Sequence, residues 1–213
     1  MSRLEKIASL VTKKEVVDVG SDHGYLIIDL FKSKKIKKAH IIEINIDPLL
    51  NAYFNIKKNN LLNKTKFYLS DGLKNINPKL NDVEIIVAGM GGKLIWDIIS
   101  KNNYKNVLFI VQPNNNEIFL RTKLKEKDWE IEQEVLVEEK NIIYPILKIN
   151  PNKKNTYQED ELILGRYQKN EIYMKKIINE KKYLVNLLKK IPESKKNKFD
   201  KIIKIYQGEL KWN

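Results

Sequence analysis

The sequence predicts an α/β protein built on a Rossmann-like, doubly wound parallel sheet with helices on both faces. Two observations predict this fold class. Apolar, β-prone runs alternate with longer mixed stretches through residue 125, and the first run ends in a glycine-rich turn, Gly20 to Gly24, that opens a helical pattern. A strand, a glycine turn and a helix in this order form a ligand crevice at the carboxyl edge of an open sheet.

The elements follow in order along the chain. Leu4, Ile7, Ala8 and Val11 have helical spacing, so the chain is expected to open with a helix. Strands are predicted at 16–19, 40–44, 65–69, 84–88 and 107–111, and helices at 25–32, 48–60, 93–100 and 117–125. Residues 129–138 and 142–149 are separated by a short turn and are predicted to form an antiparallel pair that closes the sheet edge. Five alternating units followed by a hairpin are typical of the class I methyltransferase sheet.

A polar, proline-containing stretch at 150–156 is the best candidate for a domain boundary. We therefore predict a sheet domain at 1–152 and a helical, coiled-coil-like domain at 153–213. Two amphipathic helices joined near Pro192 predict an α-helical hairpin. Their apolar faces are formed by Ile177, Leu184, Leu188 and Ile191 in the first helix, and by Phe199, Ile202, Ile203, Tyr206 and Leu210 in the second.

The charge is strongly positive. The 213 residues carry a formal net charge of +13, and residues 151–213 hold 16 Lys and Arg against 8 Asp and Glu. A basic surface indicates a polyanionic partner such as nucleic acid, although a general bias towards Lys, Asn and Ile is an alternative reason. The chain has no Cys and no apolar run long enough to span a membrane. We expect a cytoplasmic protein with no metal and no membrane partner, and we favour a monomer.

The glycine turn has the spacing Asp18-x-Gly20-x-x-x-Gly24, and Asp22 stands where a middle glycine is more common. A carboxylate there is unfavourable beside pyrophosphate but tolerable beside a cationic sulfonium, which favours S-adenosylmethionine over a dinucleotide. Glu43, after the second strand, can accept hydrogen bonds from both ribose hydroxyls. Asp71 and Gly72 follow the third strand, where methyltransferases commonly hold the adenine amino group. The alternatives are a generic β-to-α turn, an ordinary turn carboxylate and an Asp-Gly turn.

The fourth and fifth strands end in residues that suit a flat ligand. The fourth ends in Gly89-Met90-Gly91-Gly92 and lacks the Asn/Asp-Pro-Pro-aromatic motif of amino-directed methyltransferases. Its glycines leave room for a flat group or for backbone N–H donors. The fifth ends in Gln112-Pro113-Asn114, whose amides can pair with base edges. A turn that needs positive φ and ordinary helix capping are the alternatives.

Four short motifs occur together and in order: Asp-Val-Gly-Ser-Asp-His-Gly-Tyr-Leu at 18–26, Ala-Gly-Met-Gly-Gly-Lys-Leu-Ile at 88–95, Val-Gln-Pro-Asn at 111–114 and Glu-Lys-Asn-Ile-Ile-Tyr at 139–144. With them the chain resembles the bacterial TrmK family, the tRNA (adenine-22-N1)-methyltransferases. The resemblance covers residues 1–150 well and the helical tail only in character. It implies a Rossmann-like methyltransferase domain, an S-adenosylmethionine cofactor, a tRNA substrate and a helical C-terminal extension. One departure is Ile27, where the family often has Pro.

The residues and the resemblance together give a set of expected site residues. Those expected to bind the cofactor are Asp18, Gly20, Ser21, Asp22, His23, Gly24, Glu43, Ile44, Asp71, Gly72, Gly89 and Met90. Those expected to bind the substrate are Tyr25, Gly91, Gly92, Gln112, Pro113 and Asn114. Asp22 and Asn114 are the expected catalytic residues, the first stabilising the cationic product 1-methyladenine and the second holding the base.

Two other functions remain open at this stage. One is a non-catalytic tRNA- or RNA-binding protein on a methyltransferase fold, which the presence of Gly20, Glu43 and Asp71 disfavours. The other is a nicotinamide-dependent oxidoreductase, which Asp22 and the incomplete Gly-x-Gly-x-x-Gly pattern disfavour.

Overall fold

A computed structural model describes residues 1–74, 81–101, 106–190, 192, 196 and 199–210. The elements of the N-terminal part, in chain order, are α1 (Arg3–Leu10), β1 (Glu15–Val19), α2 (Tyr25–Lys32), β2 (Lys38–Glu43), α3 (Ile46–Lys58), β3 (Thr65–Leu69), β4 (Glu84–Met90), α4 (Gly92–Ile99), β5 (Leu108–Pro113), α5 (Glu117–Glu126), β6 (Glu130–Glu139) and β7 (Ile142–Asn150). The C-terminal helices are α6 (Glu159–Leu164), α7 (Glu171–Leu188) and α8 (Asp200–Glu209).

The strands form one seven-stranded sheet in the order β3-β2-β1-β4-β5-β7-β6. The first five strands in this order pair in parallel, whereas β7 is antiparallel to β5 and to β6. The strand order reverses between β1 and β4. From β1 the chain continues to β2 and β3 on one side of β1, and then returns to place β4 on its other side. The Rossmann-like sheet and its closing antiparallel pair are thus confirmed, and the reversal places a crevice at the carboxyl ends of β1 and β4.

Each central strand is buried on both faces, because helices cover both sides of the sheet. On one side Val17, Ile85 and Phe109 belong to a single apolar cluster. Their neighbours in sequence, Ile86 and Ile110, belong to the cluster on the opposite side. This alternation explains why the strands appear in the sequence as continuous apolar runs: a period of two places every second residue on the other covered face.

Two strands extend further towards the crevice than the sequence predicts. β4 continues to Met90, and β5 continues to Pro113, which pairs with Met90 after an irregularity in register. Gly89 lies within this irregularity and has a φ of 77°. Glycine adopts this left-handed conformation without the backbone strain of other residues, so it permits the bulge and the strand pairing resumes beyond it.

The C-terminal part contains α6 in addition to the two predicted helices. Gln158 and Glu161 form a capping box at its start, and because Gln is not among the residues preferred at the N-cap, the sequence does not mark this helix start. In the third apolar cluster, Ile177 and Leu184 of α7 meet Tyr206 of α8. This confirms the predicted apolar faces, except for Ile191, which lies outside the described residues. Within the described ranges every helix is too short or too polar to cross a bilayer.

The predicted boundary segment, residues 150–156, forms hydrogen bonds with the start of β6 and the residues before it. The Asn155 N–H donates to Asp128 Oδ1 at 3.0 Å, and the Thr156 N–H donates to Glu130 Oε2 at 2.7 Å. Helix α7 also contacts β6, and α6 contacts α5. The C-terminal helices are therefore held against one side of the sheet, while the division at residues 152 and 153 stays a prediction.

Candidate functional site at the carboxyl edge of the sheet

The loop after β1 has an unusual backbone. Gly20, Asp22 and Gly24 all have positive φ, at 75°, 53° and 70°. The Gly20 N–H donates to Ile42 O at 2.9 Å, and the Gly24 N–H donates to Ser21 O at 3.1 Å. Asp22 thus adopts the left-handed conformation that a middle glycine would favour, which only a few residue types besides glycine tolerate well. Its side chain is exposed at the mouth of the crevice.

Glu43 connects this loop to the ends of β2 and β3. Its side chain is buried, and its Oε1 accepts a hydrogen bond from the Asp22 N–H. Its backbone oxygen accepts from the Ser70 N–H at 2.8 Å. Burial raises the pKa of Glu43, only partly offset by the Asp22 hydrogen bond. A carboxylate is thereby fixed beside the glycine loop, as the sequence predicts.

Asp18 is a second buried carboxylate at the same edge. It lies in β1 with 5% of its surface exposed. Burial raises the pKa of Asp18 to about 6, the Ser21 hydroxyl partly offsets this rise, and the nearby charge of Glu43 adds to it. In the described part of the chain, neither Asp18 nor Glu43 forms an ion pair. Two buried acids without a cationic partner make this edge suitable for a cationic ligand.

Most of the predicted loop residues line one cavity of about 170 Å³. Its lining combines the end of β1, the glycine loop, the start of α2 and the start of α1. The lining residues are Arg3, Leu4, Asp18, Gly20, Ser21, Asp22, His23, Tyr25, Leu26 and Ala88. Arg3 and Leu4 were missed by the sequence reasoning, because only the packing of α1 brings them to this edge. A positive side chain in the first turn of a helix is electrostatically unfavourable, and this was the one available signal.

His23 and Tyr25 form an aromatic pair at the mouth of the cavity. Their rings stack with centroids 5.3 Å apart, and His23 Nε2 lies 3.4 Å from Asp22 Oδ2. The Tyr25 side chain is exposed. The pair offers a flat, partly apolar surface next to the Asp22 carboxylate, on which a base could stack.

A polar network joins the ends of β4 and β5, and Arg3 connects it to the lining of the cavity. Gln112, which is fully buried, accepts at Oε1 from the Gly89 N–H at 3.1 Å and from Arg3 Nη1 at 3.0 Å. Gln112 Nε2 donates to Asn114 Oδ1 at 3.0 Å, and Asn114 Nδ2 donates to Gly89 O at 2.7 Å. The Asn114 N–H also donates to Met90 O at 2.8 Å. The structure thus brings four residues of the two predicted motifs, Gly89, Met90, Gln112 and Asn114, into one hydrogen-bonded unit.

The glycines at the start of α4 allow a close approach of the backbone. A Cβ on Gly92 would lie 2.7 Å from Asn116 O, and one on Gly91 would lie 3.0 Å from Asn115 Oδ1. The Gly92 N–H already donates to Asn115 O at 3.0 Å. Packing against the loop after β5 therefore explains Gly92, and its role in substrate binding stays a prediction.

The remaining predicted residues lie at the same edge on its outer side. Asp71 is exposed, and its hydrogen bond with Lys74 lowers the pKa of its carboxyl. Gly72 has a φ of 61°, and Ile44 is 62% exposed. Pro113 is buried in its pairing with Met90. Their roles in binding stay predictions. The described residues contain no group of His, Asp and Glu able to hold a metal ion.

The fold and the crevice define a class I methyltransferase, and residues 1–147 match the methyltransferase-domain family. The chain is 38% identical over 171 residues to MG248 of Mycoplasma genitalium, a candidate tRNA methyltransferase, covering 76% of this chain and 75% of that protein. It is 26% identical over 204 residues to the tRNA (adenine(22)-N(1))-methyltransferase of Bacillus subtilis, covering 90% of this chain and 85% of that protein.

Solved structures agree with these relatives. TrmK of M. capricolum, in complex with S-adenosylhomocysteine, superimposes with a TM-score of 0.88 and 25% identity, covering 99% of this chain and 97% of that chain. The chain belongs to the TrmK family of tRNA (adenine-22-N1)-methyltransferases. This membership favours an enzyme over a non-catalytic RNA-binding protein on the same fold.

Proposed function

We propose that this protein transfers the methyl group of S-adenosylmethionine to N1 of adenine 22 in tRNA. The observation that carries the proposal is the meeting of two family motifs at one crevice. The loop at Gly20–Gly24 lines a cavity together with Arg3, and Arg3 donates to Gln112, whose amide pairs with that of Asn114. Membership of the TrmK family and the M. capricolum complex with S-adenosylhomocysteine support the same reaction.

The crevice fits the cofactor in its charge. S-adenosylmethionine supplies an electrophilic methyl group on a cationic sulfur and also carries a cationic amino group. Asp18 and Glu43 are buried and form no ion pair in the described ranges, so a cationic ligand would relieve the cost of ionising them. A Cβ on Gly20 would lie 2.5 Å from Met90 Cε, so glycine at this position lets the Met90 side chain pack against the loop. Asp18 and Glu43 would therefore hold the charged part of the cofactor and its ribose.

The methyl transfer to N1 does not require a strong general acid or general base. The lone pair on N1 of neutral adenine lies in the ring plane, and no proton must leave before it attacks. The residues must therefore expose N1, align it with the methyl carbon and exclude water. The product base is cationic, so a carboxylate beside it lowers the energy of the developing charge. Asp22 is the exposed carboxylate of the cavity and takes this role, while Asn114 holds the base.

The basic C-terminal helices supply contacts to the tRNA backbone. Exposing a stacked or paired adenine costs a few kcal/mol, which binding to the rest of the tRNA must offset. Lys181 and Lys182 lie on the accessible side of α7 and suit this purpose. Because tRNA is the proposed substrate, we propose that the protein is located in the cytoplasm. We also propose that it is a monomer, with a sheet domain at 1–152 and a helical domain at 153–213.

The reaction can be tested directly. Purified protein is incubated with labelled S-adenosylmethionine and unmodified tRNA, and the labelled nucleoside is identified by mass spectrometry. The expected product is 1-methyladenine, which disappears when adenine 22 is replaced by another base. Transfer to a different position or atom, or no transfer while S-adenosylmethionine still binds, would contradict the proposed reaction.

The role of Asp22 has its own test. Asp22→Asn removes the charge but keeps a side chain that tolerates the left-handed backbone at this position. We expect kcat to fall about 100-fold or more, as for loss of one electrostatic contact to a transition state, with the Kd for S-adenosylmethionine nearly unchanged. Asp22→Ala should lose turnover to a similar extent and should in addition lower the Tm, because alanine is unfavourable in this left-handed backbone conformation. Turnover close to that of the unmodified enzyme would disprove this role.

A further inference from the structure

The amide pair Gln112 and Asn114 has a fixed polarity. Gln112 Oε1 faces two groups that can only donate, the Gly89 N–H and the Arg3 guanidinium. Asn114 Nδ2 faces a group that can only accept, the Gly89 carbonyl oxygen. Turning either amide by 180° would set donor against donor or acceptor against acceptor. The Gly89 backbone and Arg3 therefore decide which way both amides point.

Asn114 keeps part of its hydrogen-bonding capacity unused in this network. Its amide nitrogen carries two N–H donors and uses one on Gly89 O, and its amide oxygen has two acceptor positions and uses one on Gln112 Nε2. The side chain is exposed, whereas Gln112 beneath it is fully buried. Asn114 thus has one further donor and one further acceptor position available to a ligand at this edge of the sheet.

This pattern complements one edge of adenine. The edge of adenine that carries N7 and the N6 amino group offers one acceptor and one donor, and an Asn amide pairs with both at once. Guanine offers two acceptors at N7 and O6, so the Asn114 oxygen would face another acceptor. Pairing through N7 and N6 leaves N1 uncovered on the other side of the base, where a methyl group can reach it.

We propose that Asn114, with its polarity set by Gln112, Gly89 and Arg3, selects adenine through N7 and the N6 amino group and thereby leaves N1 free to react. The inference rests on the proposed function, since it concerns the base that this reaction modifies. It assigns Asn114 as a substrate-specificity residue and Arg3 as a positioning residue that acts through Gln112.

Several features of Arg3 agree with a positioning role. It is the first residue of α1, where the helix dipole disfavours a positive charge. Its guanidinium lies 5.0 Å from the centre of the Tyr144 ring, and its backbone N–H donates to Glu139 Oε1 at 3.4 Å. These contacts on the β6–β7 hairpin hold the side chain so that Nη1 reaches Gln112, which is 109 positions away in the sequence.

The decisive experiment changes one atom of the substrate. Full-length protein is assayed under single-turnover conditions with tRNA that carries either adenosine or 7-deazaadenosine at position 22. Loss of N7 should slow methyl transfer by wild-type protein about 5- to 150-fold, the range of one good base contact. In Asn114→Ala the same atom change should cost less than about 3-fold, because the donor to N7 is already gone. Any change in N1 reactivity affects both proteins equally and cancels in this comparison.

Two variants of Arg3 test the positioning role. Arg3→Met keeps an apolar stem without the donor, and Arg3→Lys keeps a donor and the charge. We expect Arg3→Met to reduce the rate ratio between adenosine and 7-deazaadenosine towards one, with an unchanged Kd for S-adenosylmethionine, and Arg3→Lys to restore part of that ratio. Loss of packing alone would slow both substrates equally and leave the ratio intact.

The outcomes separate the inference from the proposed function. If wild-type protein methylates unmodified tRNA at adenine 22 but transfers equally fast to 7-deazaadenosine, the inference is wrong and the function stands. An equal penalty for the atom change in wild type and in Asn114→Ala also overturns it. If unmodified tRNA is not methylated at all, the proposed function itself has failed.

Discussion

Arg121 on α5 and Glu134 on β6 form a fully buried ion pair, with 2.8 Å between Arg121 Nε and Glu134 Oε1. Both side chains have further partners from the C-terminal part of the chain. Tyr157 OH donates to Glu134 Oε2 at 2.6 Å, and Arg121 donates to Tyr167 OH and to Leu162 O. This pair is therefore the polar centre of the contact between the sheet and the C-terminal helices.

The first prediction concerns the stability of this contact. Arg121→Met leaves Glu134 buried without its cation, and we expect the free energy of unfolding to fall by about 3–5 kcal/mol. Glu134→Leu leaves Arg121 with Glu117, whose Oε2 is 3.3 Å from Arg121 Nη2, and should cost less than Arg121→Met. The double variant should cost at least about 1 kcal/mol less than the sum of the single variants, because neither charge is left alone. Urea unfolding measures all three, and additive losses would contradict a coupled pair.

A second prediction uses two glycines of the C-terminal part. Gly165 has φ of 76° and ψ of 169°, and a Cβ there would lie less than 3.0 Å from Arg121, Glu134 and Tyr167. This backbone conformation is essentially restricted to glycine, so Gly165→Ala should lower the free energy of unfolding by about 1–3 kcal/mol from strain alone. Thermal unfolding should show a lower Tm.

Gly208 provides the matched control. It lies in α8, and an added Cβ would meet no atom within 4 Å. Because alanine favours the helix over glycine by about 0.8–1.0 kcal/mol, Gly208→Ala should leave the Tm unchanged or raise it. Equal losses in the two variants would show that the position of Gly165 against the ion pair has no special importance.

The third prediction is a pH dependence of cofactor binding. Burial raises the pKa of Asp18 to about 6, and a cationic ligand binds better to the ionised form. The affinity for S-adenosylmethionine should therefore fall about tenfold between pH 7 and pH 5, as Asp18 takes up a proton. Glu43, whose pKa is also raised, changes affinity in the same direction. Calorimetric titration of the protein with S-adenosylmethionine at pH 7 and at pH 5 measures the two Kd values, and a constant Kd would refute the prediction.

Asp18→Asn separates binding from stability. The variant should bind S-adenosylmethionine more weakly at pH 7.5 and should lose most of the pH dependence. Without cofactor, Asp18 has a higher pKa in the folded protein than in the unfolded chain. Between about pH 4 and 6 its carboxyl is therefore protonated more often in the folded state, and the free energy of unfolding falls as the pH rises through this window. Removing the charge should therefore raise the Tm at pH 7.5, by about 2–4 °C for each kcal/mol. A lower Tm would show that ionised Asp18 stabilises the fold.

The fourth prediction locates the tRNA contacts. Lys181→Glu and Lys182→Glu on α7 should weaken tRNA binding, and each lost phosphate contact should reduce the slope of log K against log salt by about 0.7–0.9. Binding titrations at several salt concentrations measure this slope. Lys32, Lys34 and Lys37 form an equally basic segment before β2, at the opposite edge of the sheet from the crevice, and serve as the control. A larger effect from this control segment would place the tRNA on the other side of the protein.

The sequence by itself determined the order of the elements and the nature of the glycine loop. Strands such as β1 and β4 are buried on both faces and appear in the sequence as apolar runs. Successive side chains point to opposite faces of the sheet, and helices cover both faces. The turn after β1 could be predicted because only glycine and a few polar residues accept positive φ, and Asp22 adopts that conformation. Both properties are local, so the residues that show them are neighbours in the chain.

Only the tertiary structure decided how distant residues combine. Arg3 reaches Gln112 because α1 packs on the β6–β7 hairpin, and nothing near Arg3 in the sequence indicates this contact. Asp18 becomes a weak acid because strands and helices exclude water from it, which no sequence pattern measures. No local sequence pattern indicates that Arg121 and Glu134 form a pair, and they are buried together because the C-terminal helices cover them. Contacts of this kind depend on the packing of whole elements, since their partners are brought together only when the chain has folded.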